Sequence, residues 1–366
     1  MTEHLGAPQG LLVPRNGSAR KWPALPIIGG AGLGRAETMK AGILLLCVLL
    51  ARLPAAAADF SRETVGTGGS EFLLFDLGPR AIAMGGAYSG LSDDAYSLYW
   101  NPAGLARIPR LSASYQSSLH VADMTYHAGV FGYRMKESVV LGAGWRYLNM
   151  GEIENTDLAG DTVGKFTPRH YVVEAGWGQS IYDLSDNDME LNVGAVVRWI
   201  HSVMFVQADG FGGDIGIQAR FYAGPFLYDF GGSLQNIGVG QSYVDVRDSL
   251  PFRARLGGTI YPARGLALCL EAVTPVNNYP FAALGVEYAR HFDKNLSAAA
   301  RAGFNSRTLA SLGPMSAMNL GMGVKFSDIS VDYSFNYMGV LGSQGTHRLA
   351  FSYNLPSKSS RRYRER

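Results

Sequence analysis

Fourteen charged side chains recur at alternate positions within otherwise apolar or glycine-rich segments of this 366-residue chain. They are Arg146, Glu174, Arg198, Asp214, Arg220, Asp229, Arg253, Arg255, Glu271, Glu287, Arg301, Lys325, Asp332 and Arg348. Both signs occur, so the chemistry they suit is ion pairing in a confined interior. Arg253 and Arg255 lie two apart on one strand face. They could hold an anion, but pairing with Glu271 or Glu287 is the stronger expectation. Asp93-Asp94 could hold a cation, although capping the free N–H groups of a following helix is the more economical role. Beyond residues 1–58, the six histidines (His120, His127, His170, His201, His291 and His347) are scattered without ligand spacing. The sequence lacks a Gly-x-x-x-x-Gly-Lys-Ser/Thr phosphate loop, a Gly-x-Ser-x-Gly elbow and a His-Glu-x-x-His zinc helix. Gly29-Gly30-Ala31-Gly32-Leu33-Gly34 has the wrong spacing for a dinucleotide turn. The expectation is a protein that is not an enzyme and needs no metal or other cofactor.

Elements that would position such charges must have a period of two. From Ile329 to Tyr337, Ile329, Val331, Tyr333, Phe335 and Tyr337 alternate with Ser330, Asp332, Ser334 and Asn336. Val139 to Tyr147, Met189 to Trp199 and Asp214 to Phe221 alternate in the same way. Successive strand residues face opposite sides, which gives each segment one apolar face and one polar or glycine face. Fourteen such segments are expected, near 111–118, 124–134, 137–148, 170–181, 189–201, 211–221, 227–235, 251–261, 266–274, 281–290, 295–304, 318–327, 329–338 and 346–355. Most have the roughly 9–11 residues that a tilted strand needs to cross a bilayer. Longer connections (149–169, 202–210, 236–250, 305–317, 339–345) tend to alternate with tight turns, the asymmetry of outer-membrane barrels. A charge facing lipid costs about 2–4 kcal/mol at the midplane, so the fourteen charges belong on the inside. The fold class expected is all-β: a transmembrane antiparallel barrel of about 14 strands over 111–355.

Composition agrees. Only 17% of residues are charged, against 46 Gly, 19 Tyr, 17 Phe and 5 Trp, a pairing suited to small inward residues and interfacial rings. Net charge is +2, which gives no basic footprint for nucleic acid. Met39-Lys40, the apolar run 41–51 and Ala55-Ala56-Ala57-Ala58 have the layout of a secretory signal peptide over 39–58, cleaved after Ala58. Residues 1–38 read as an upstream extension or disordered leader, and 356–366 as a basic periplasmic tail. Cys47 falls in the cleaved segment and leaves Cys269 alone, so no intramolecular disulfide is expected.

Residues 59–110 break the alternation and read as an N-terminal hatch folded inside the lumen. Asp93-Asp94 precede the expected helix 95–100, and Asn101-Pro102 stops it. Gly78-Pro79-Arg80-Ala81-Ile82-Ala83-Met84-Gly85-Gly86-Ala87, Ser92-Asp93-Asp94-Ala95 and Tyr99-Trp100-Asn101-Pro102-Ala103-Gly104-Leu105 resemble the opening of PorV/PorQ family proteins. The Asn101-Pro102-Ala103 element is shared more widely with FadL-like barrels. Ser233-Leu234-Gln235-Asn236-Ile237-Gly238 and Thr346-His347-Arg348 match as well. The resemblance spans Gly66 to Leu355. It implies a 14-stranded barrel with a hatch in the cell outer membrane, surrounded by outer-membrane lipid, and the alternating Leu349, Phe351, Tyr353 and Leu355 of the last strand resemble the signal read by the barrel-insertion machinery. It also implies a hatch motif of Gly85, Gly86, Asp93, Asp94, Asn101, Pro102, Ala103 and Gly104. Two activities follow from it: transport or binding of hydrophobic small molecules, with Phe72, Phe75 and Met84 as ligand or gate residues, or an accessory role in type IX secretion. In the second, loops 149–169 and 236–250 would bind the sorting domain of secreted cargo.

Overall fold

The computed structural model describes residues 70–120, 123–183, 189–243, 246–338 and 345–356. The expected leader, signal peptide and basic tail, apart from residue 356, lie outside them. So does the start of the hatch.

Alternation at Leu111–Leu355 folds into a closed antiparallel barrel of fourteen strands. Its strands are β1 (Leu111–Leu119), β2 (Thr125–Lys136), β3 (Val139–Asn149), β6 (Arg169–Tyr182), β7 (Met189–Val203), β8 (Gln207–Ala223) and β9 (Phe226–Val239). The cylinder continues with β12 (Arg253–Ala263), β13 (Leu266–Pro275), β14 (Phe281–His291), β15 (Leu296–Asn305), β16 (Met318–Phe326), β17 (Ile329–Asn336) and β18 (Thr346–Leu355). Each strand pairs with its neighbour in sequence, and β1 closes the cylinder on β18 with Leu111 opposite Leu355 and Leu119 opposite His347. Two further hairpins stand apart in the connections: β4 (Ile153–Thr156) with β5 (Thr162–Phe166), and β10 (Ser242–Tyr243) with β11 (Val246–Arg247).

The fourteen-strand expectation holds, with differences where pairing overrides local pattern. Strands β7 and β8 reach further than their alternation shows, which shrinks the connection expected at 202–210 to 204–206. One end of the barrel carries the connections 120–124, 150–168, 204–206, 240–252, 276–280, 306–317 and 337–345. The other carries 137–138, 183–188, 224–225, 264–265, 292–295 and 327–328. These are the loop end and the turn end below.

Side chains sort by face. In β16, Met318, Leu320, Met322, Val324 and Phe326 are exposed on the outer face, while Asn319, Gly321, Gly323 and Lys325 point inward. Near the loop end the outer face carries neighbouring rings on adjacent strands: Tyr115, His127, Trp145, Tyr147, Tyr171, Trp199 and His201. Near the turn end Phe221 stacks on Tyr228 and Phe230. Apolar residues outside with rings toward both rims is the dress of a bilayer-spanning barrel. No helix among the described residues is long and apolar enough to cross a membrane.

Residues 70–110 lie inside the cylinder as a plug. The described part of the plug begins at the loop end, where Ser70 Oγ donates to Gln241 Oε1 at 2.9 Å. It descends through a short helix, Pro79–Ala83, a second helix, Ser97–Trp100, and a 3₁₀ turn, Pro102–Arg107. Arg107 reaches Glu190 at the turn-end start of β7 before β1 begins. Almost all of the plug is buried, and Leu77, Ala83, Met84, Leu98, Trp100 and Leu105 form the centre of the apolar core. Asn101 ends the second helix in extended backbone (φ −159°) and its side chain accepts from Ala103 N, capping the next turn. The expected cap by Asp93 or Asp94 is not what forms: the helix begins at Ser97 without a side-chain cap. Asp94 Oδ1 instead accepts from Tyr96 N at 2.9 Å, and Asp93 pairs with Arg80.

Candidate functional site

The lumen is a packed interior in which backbone of the plug meets backbone of the wall. A Cβ on Gly231 of β9 would stand 2.0 Å from the Ser89 carbonyl oxygen, and one on Gly303 of β15 would stand 2.0 Å from Gly85 N. Gly85 and Gly86 have φ of +70° and +83°, a conformation that favours glycine. They turn the plug directly against the wall. Asn101 binds this contact from the plug side: its Nδ2 donates to Ser89 O at 2.9 Å and to Ile217 O at 3.0 Å. Pro102, Ala103 and Gly104 are buried beside it. A Cβ on Gly194 of β7 would meet Pro102 at 2.3 Å.

The inward charges resolve into four clusters. Beside β12 and β13, Glu271 Oε2 accepts from Tyr88 N at 2.7 Å and Ser89 N at 2.8 Å, while Oε1 accepts from Ser89 Oγ and from Arg255 Nε at 2.6 Å. Arg255 also donates to Gly86 O at 2.6 Å and lies over the Trp100 ring. This carboxylate serves two plug backbone N–H groups and one buried guanidinium, and so ties plug to wall. On the β14–β17 side, Arg80 of the plug forms two bonds to Glu287, at 2.8 and 2.9 Å, and one to Asp93 at 2.6 Å. Arg301 donates to the same Glu287 and to Asp332, both at 2.6 Å. Near the turn end, Arg107 and Arg220 share Asp229, which also accepts from Tyr261 OH. On the β3–β8 side, Arg146 pairs with Glu174, and Arg198 pairs with Asp214 and Asn236.

The pairing expected for Arg253 and Arg255 is half realised. Arg255 finds Glu271, but Arg253 donates to Gln235 Oε1 and lies over the Tyr99 ring, and Glu287 is taken by Arg80 and Arg301. The plug's own cations, Arg80 and Arg107, carry the closest plug-to-wall ion pairs and had no assigned role in the sequence. The signal available was that both stand in a segment whose other residues are apolar or small.

At the loop end the plug presents rings. Phe72 stacks on His170 at 4.2 Å between centroids. Phe75 meets His120 edge-on at 5.1 Å and Tyr126 at 5.9 Å. His170 Nε2 lies 3.2 Å from Met150 Sδ. Burial lowers the pKa of His120 to about 3, with Arg348 adding to the effect, so this ring is neutral at physiological pH. Met84 is elsewhere: it is fully buried against Gly285 of β14, in the middle of the plug. The structure therefore brings Phe72 and Phe75 together and separates Met84 from them. Among the described residues no group of three or more His, Cys, Asp or Glu is arranged to hold a metal ion. Cys269 is a free thiol, buried on the lumen side of β13.

No family model matches the sequence, and no curated protein matches it. Among solved structures, the Ralstonia pickettii toluene transporter TbuX matches with a TM-score of 0.53 at 13% identity, covering 78% of this chain and 100% of that one. A Pseudomonas aeruginosa FadL homologue matches with a TM-score of 0.49 at 10% identity (75% and 98% covered). The Pseudomonas putida toluene transporter TodX matches with 0.49 at 12% identity (75% and 96% covered). The similarity to TbuX is one of fold: the two chains share a barrel architecture.

Proposed function

We propose that this chain is an outer-membrane barrel of the PorV/PorQ type that binds small hydrophobic molecules at its loop end and admits them past the plug. The observation that carries the reading is the cluster of Phe72, Phe75 and Tyr126 with the buried His170 and the half-buried His120 at the loop-end face of the plug. One of those rings, His120, is held neutral by burial. Such a surface offers dispersion contact and ring edges at no cost in unpaired charge. The fold shared with a toluene transporter supports it, as do the sequence elements around Gly78–Ala87 and Asn101–Gly104. Uptake of a fatty acid and of a monoaromatic compound by cells carrying the wild-type chain, a deletion, and Phe72→Ala/Phe75→Ala tests the reading. The deletion should abolish uptake of at least one compound and the double variant should slow it several-fold. Unchanged uptake of every compound in the deletion strain sinks the reading.

A second reading, an accessory role in type IX secretion, draws on the β4–β5 hairpin. All of its strand residues but Phe166 are exposed, Ile153 and Val163 included, as is Leu158 at its tip, and its strands pair only with each other. On that reading, removing Ile153–Phe166 abolishes capture of cargo bearing a sorting domain while the barrel still inserts. Undiminished capture rules the hairpin out.

A further inference from the structure

Beneath the helix Pro79–Ala83 the plug leaves one side of the lumen unfilled. A cavity of about 230 Å³ lies between the plug and the wall built by β14–β18 and β1. Small residues of the turn-end half of that wall, such as Ala289, Ser297, Ser330 and Ser352, line it. Its ceiling is the plug: Arg80, Asp94 and Tyr96, the last with a buried hydroxyl that has no hydrogen-bond partner in the structure.

We propose that Asp94 is a proton-binding site that sets how firmly the plug is seated, and that protons reach it from the turn end through this cavity. The proposal goes beyond the uptake reading and does not depend on which molecule crosses.

Geometry makes Asp94 the surplus acid of its cluster. Arg80 spends its close contacts on Glu287, Asp93 and the Tyr88 hydroxyl, and stands 3.9 Å from Asp94. Among the described residues, Asp94 accepts from Tyr88 OH at 2.7 Å and Tyr96 N at 2.9 Å. The charged groups around the site are Asp93 on its own loop, Arg80 on the helix, Glu287 on β14, Arg301 on β15, Lys325 on β16 and Asp332 on β17. With Asp94 they make, among the described residues, four carboxylates against three cations. Charges in this cluster balance only when one carboxyl is protonated, and Asp94 is the one without a guanidinium bonded to it.

Its proton affinity agrees. Burial raises the pKa of Asp94 from 3.8 to about 6, with Asp93 and Asp332 acting in the same direction against Arg80 and the Tyr88 hydroxyl. An acid whose pKa is higher in the seated plug than in water favours seating when it is protonated. Seating is therefore strongest below about pH 4, where both states hold the proton. It weakens as pH rises through about 6, by roughly a hundredfold in the seated-to-displaced ratio, since each pKa unit is a factor of ten.

Cys269 is a native reporter. It is buried on the lumen face of β13, two residues from the plug-binding Glu271. The full chain and Asp94→Asn, each in phosphatidylethanolamine–phosphatidylglycerol vesicles, are exposed to a methanethiosulfonate reagent from pH 4 to pH 8. Modification is read on the Cys269 peptide by mass spectrometry. The ratio of the two rates cancels the pH dependence of the thiol itself. It should be near one at pH 4 and rise by about two orders of magnitude (wild type faster) by pH 8. A flat ratio overturns the proposal. If Asp94→Asn fails to insert, amide exchange of wild-type residues 70–110, corrected for intrinsic rates, replaces it: protection must fall between pH 4 and pH 7, and constant protection overturns the proposal.

Discussion

Asn101 has three jobs in one side chain. Its Nδ2 serves the carbonyls of Ser89 and Ile217, and its Oδ1 caps the turn that begins at Pro102. It is fully buried, so Asn101→Ala strands two carbonyls and one N–H away from water. Each stranded group costs about 1–3 kcal/mol, and the expected result is a lower thermal unfolding midpoint in detergent with the plug loosened before the barrel. An unchanged midpoint would show that other groups take over all three bonds. The stop at Asn101-Pro102 was legible in sequence because proline restricts the residue before it. The bond to Ile217 was not, because it joins positions 116 apart in the chain. The same separation of local from distant explains Arg253 and Arg255. Their shared face is a property of one strand, while their partners, Tyr99 and Glu271, come from the plug and from β13.

At the scale of elements, the plug is held by backbone proximity as much as by charge. Gly231 and Gly303 admit Ser89 and Gly85 at distances no Cβ tolerates. Gly231→Val is expected to displace the plug without breaking the barrel, because β9 still pairs with β8 and β12. Single-channel recording in planar bilayers should then show conductance at least several-fold above wild type. Equal conductance would mean that the plug re-seats around the added methyls. Strands were legible because alternation is local and recurs fourteen times. The hairpin β4–β5 was hidden in what read as a plain connection, since it has no apolar face turned to the barrel and all but one of its strand residues are exposed. The start of the helix was misplaced for a related reason. Asp94 was available as a cap, but the lumen offers Asp93 the Arg80 guanidinium, and Asp94 is turned to Tyr88 and Tyr96.

For the whole molecule, the wall and the loops are separable. Strands β4 and β5 pair only with each other, and the ring contact of Phe166 with Phe205 is to another connection rather than to the wall, so excising Ile153–Phe166 and joining its ends with a short glycine linker should leave barrel stability within about 0.5 kcal/mol, the range for surface changes away from structural features. Migration of unheated samples on detergent gels reads this directly: the folded band should keep its mobility shift and its melting temperature. A lost shift would mean that the hairpin supports the cylinder. Overall architecture was the most legible level, since length, turn asymmetry and facial segregation all point to one closed sheet. Substrate was the least legible, because the rings that face the loop end, Phe72, Phe75, His120, Tyr126 and His170, converge from the plug, a connection and two strands.

The seam between β1 and β18 joins the first barrel strand to the last, with Leu111 opposite Leu355. Synthesis runs from the plug to the seam, so the contents exist before the container and the container cannot shut until its final ten residues arrive. Closing the sheet around residues 70–110 as its edges meet is the most direct route to this arrangement. A plug left outside at that moment could enter only through an open end of the cylinder, since the fourteen hydrogen-bonded staves leave no gap between them.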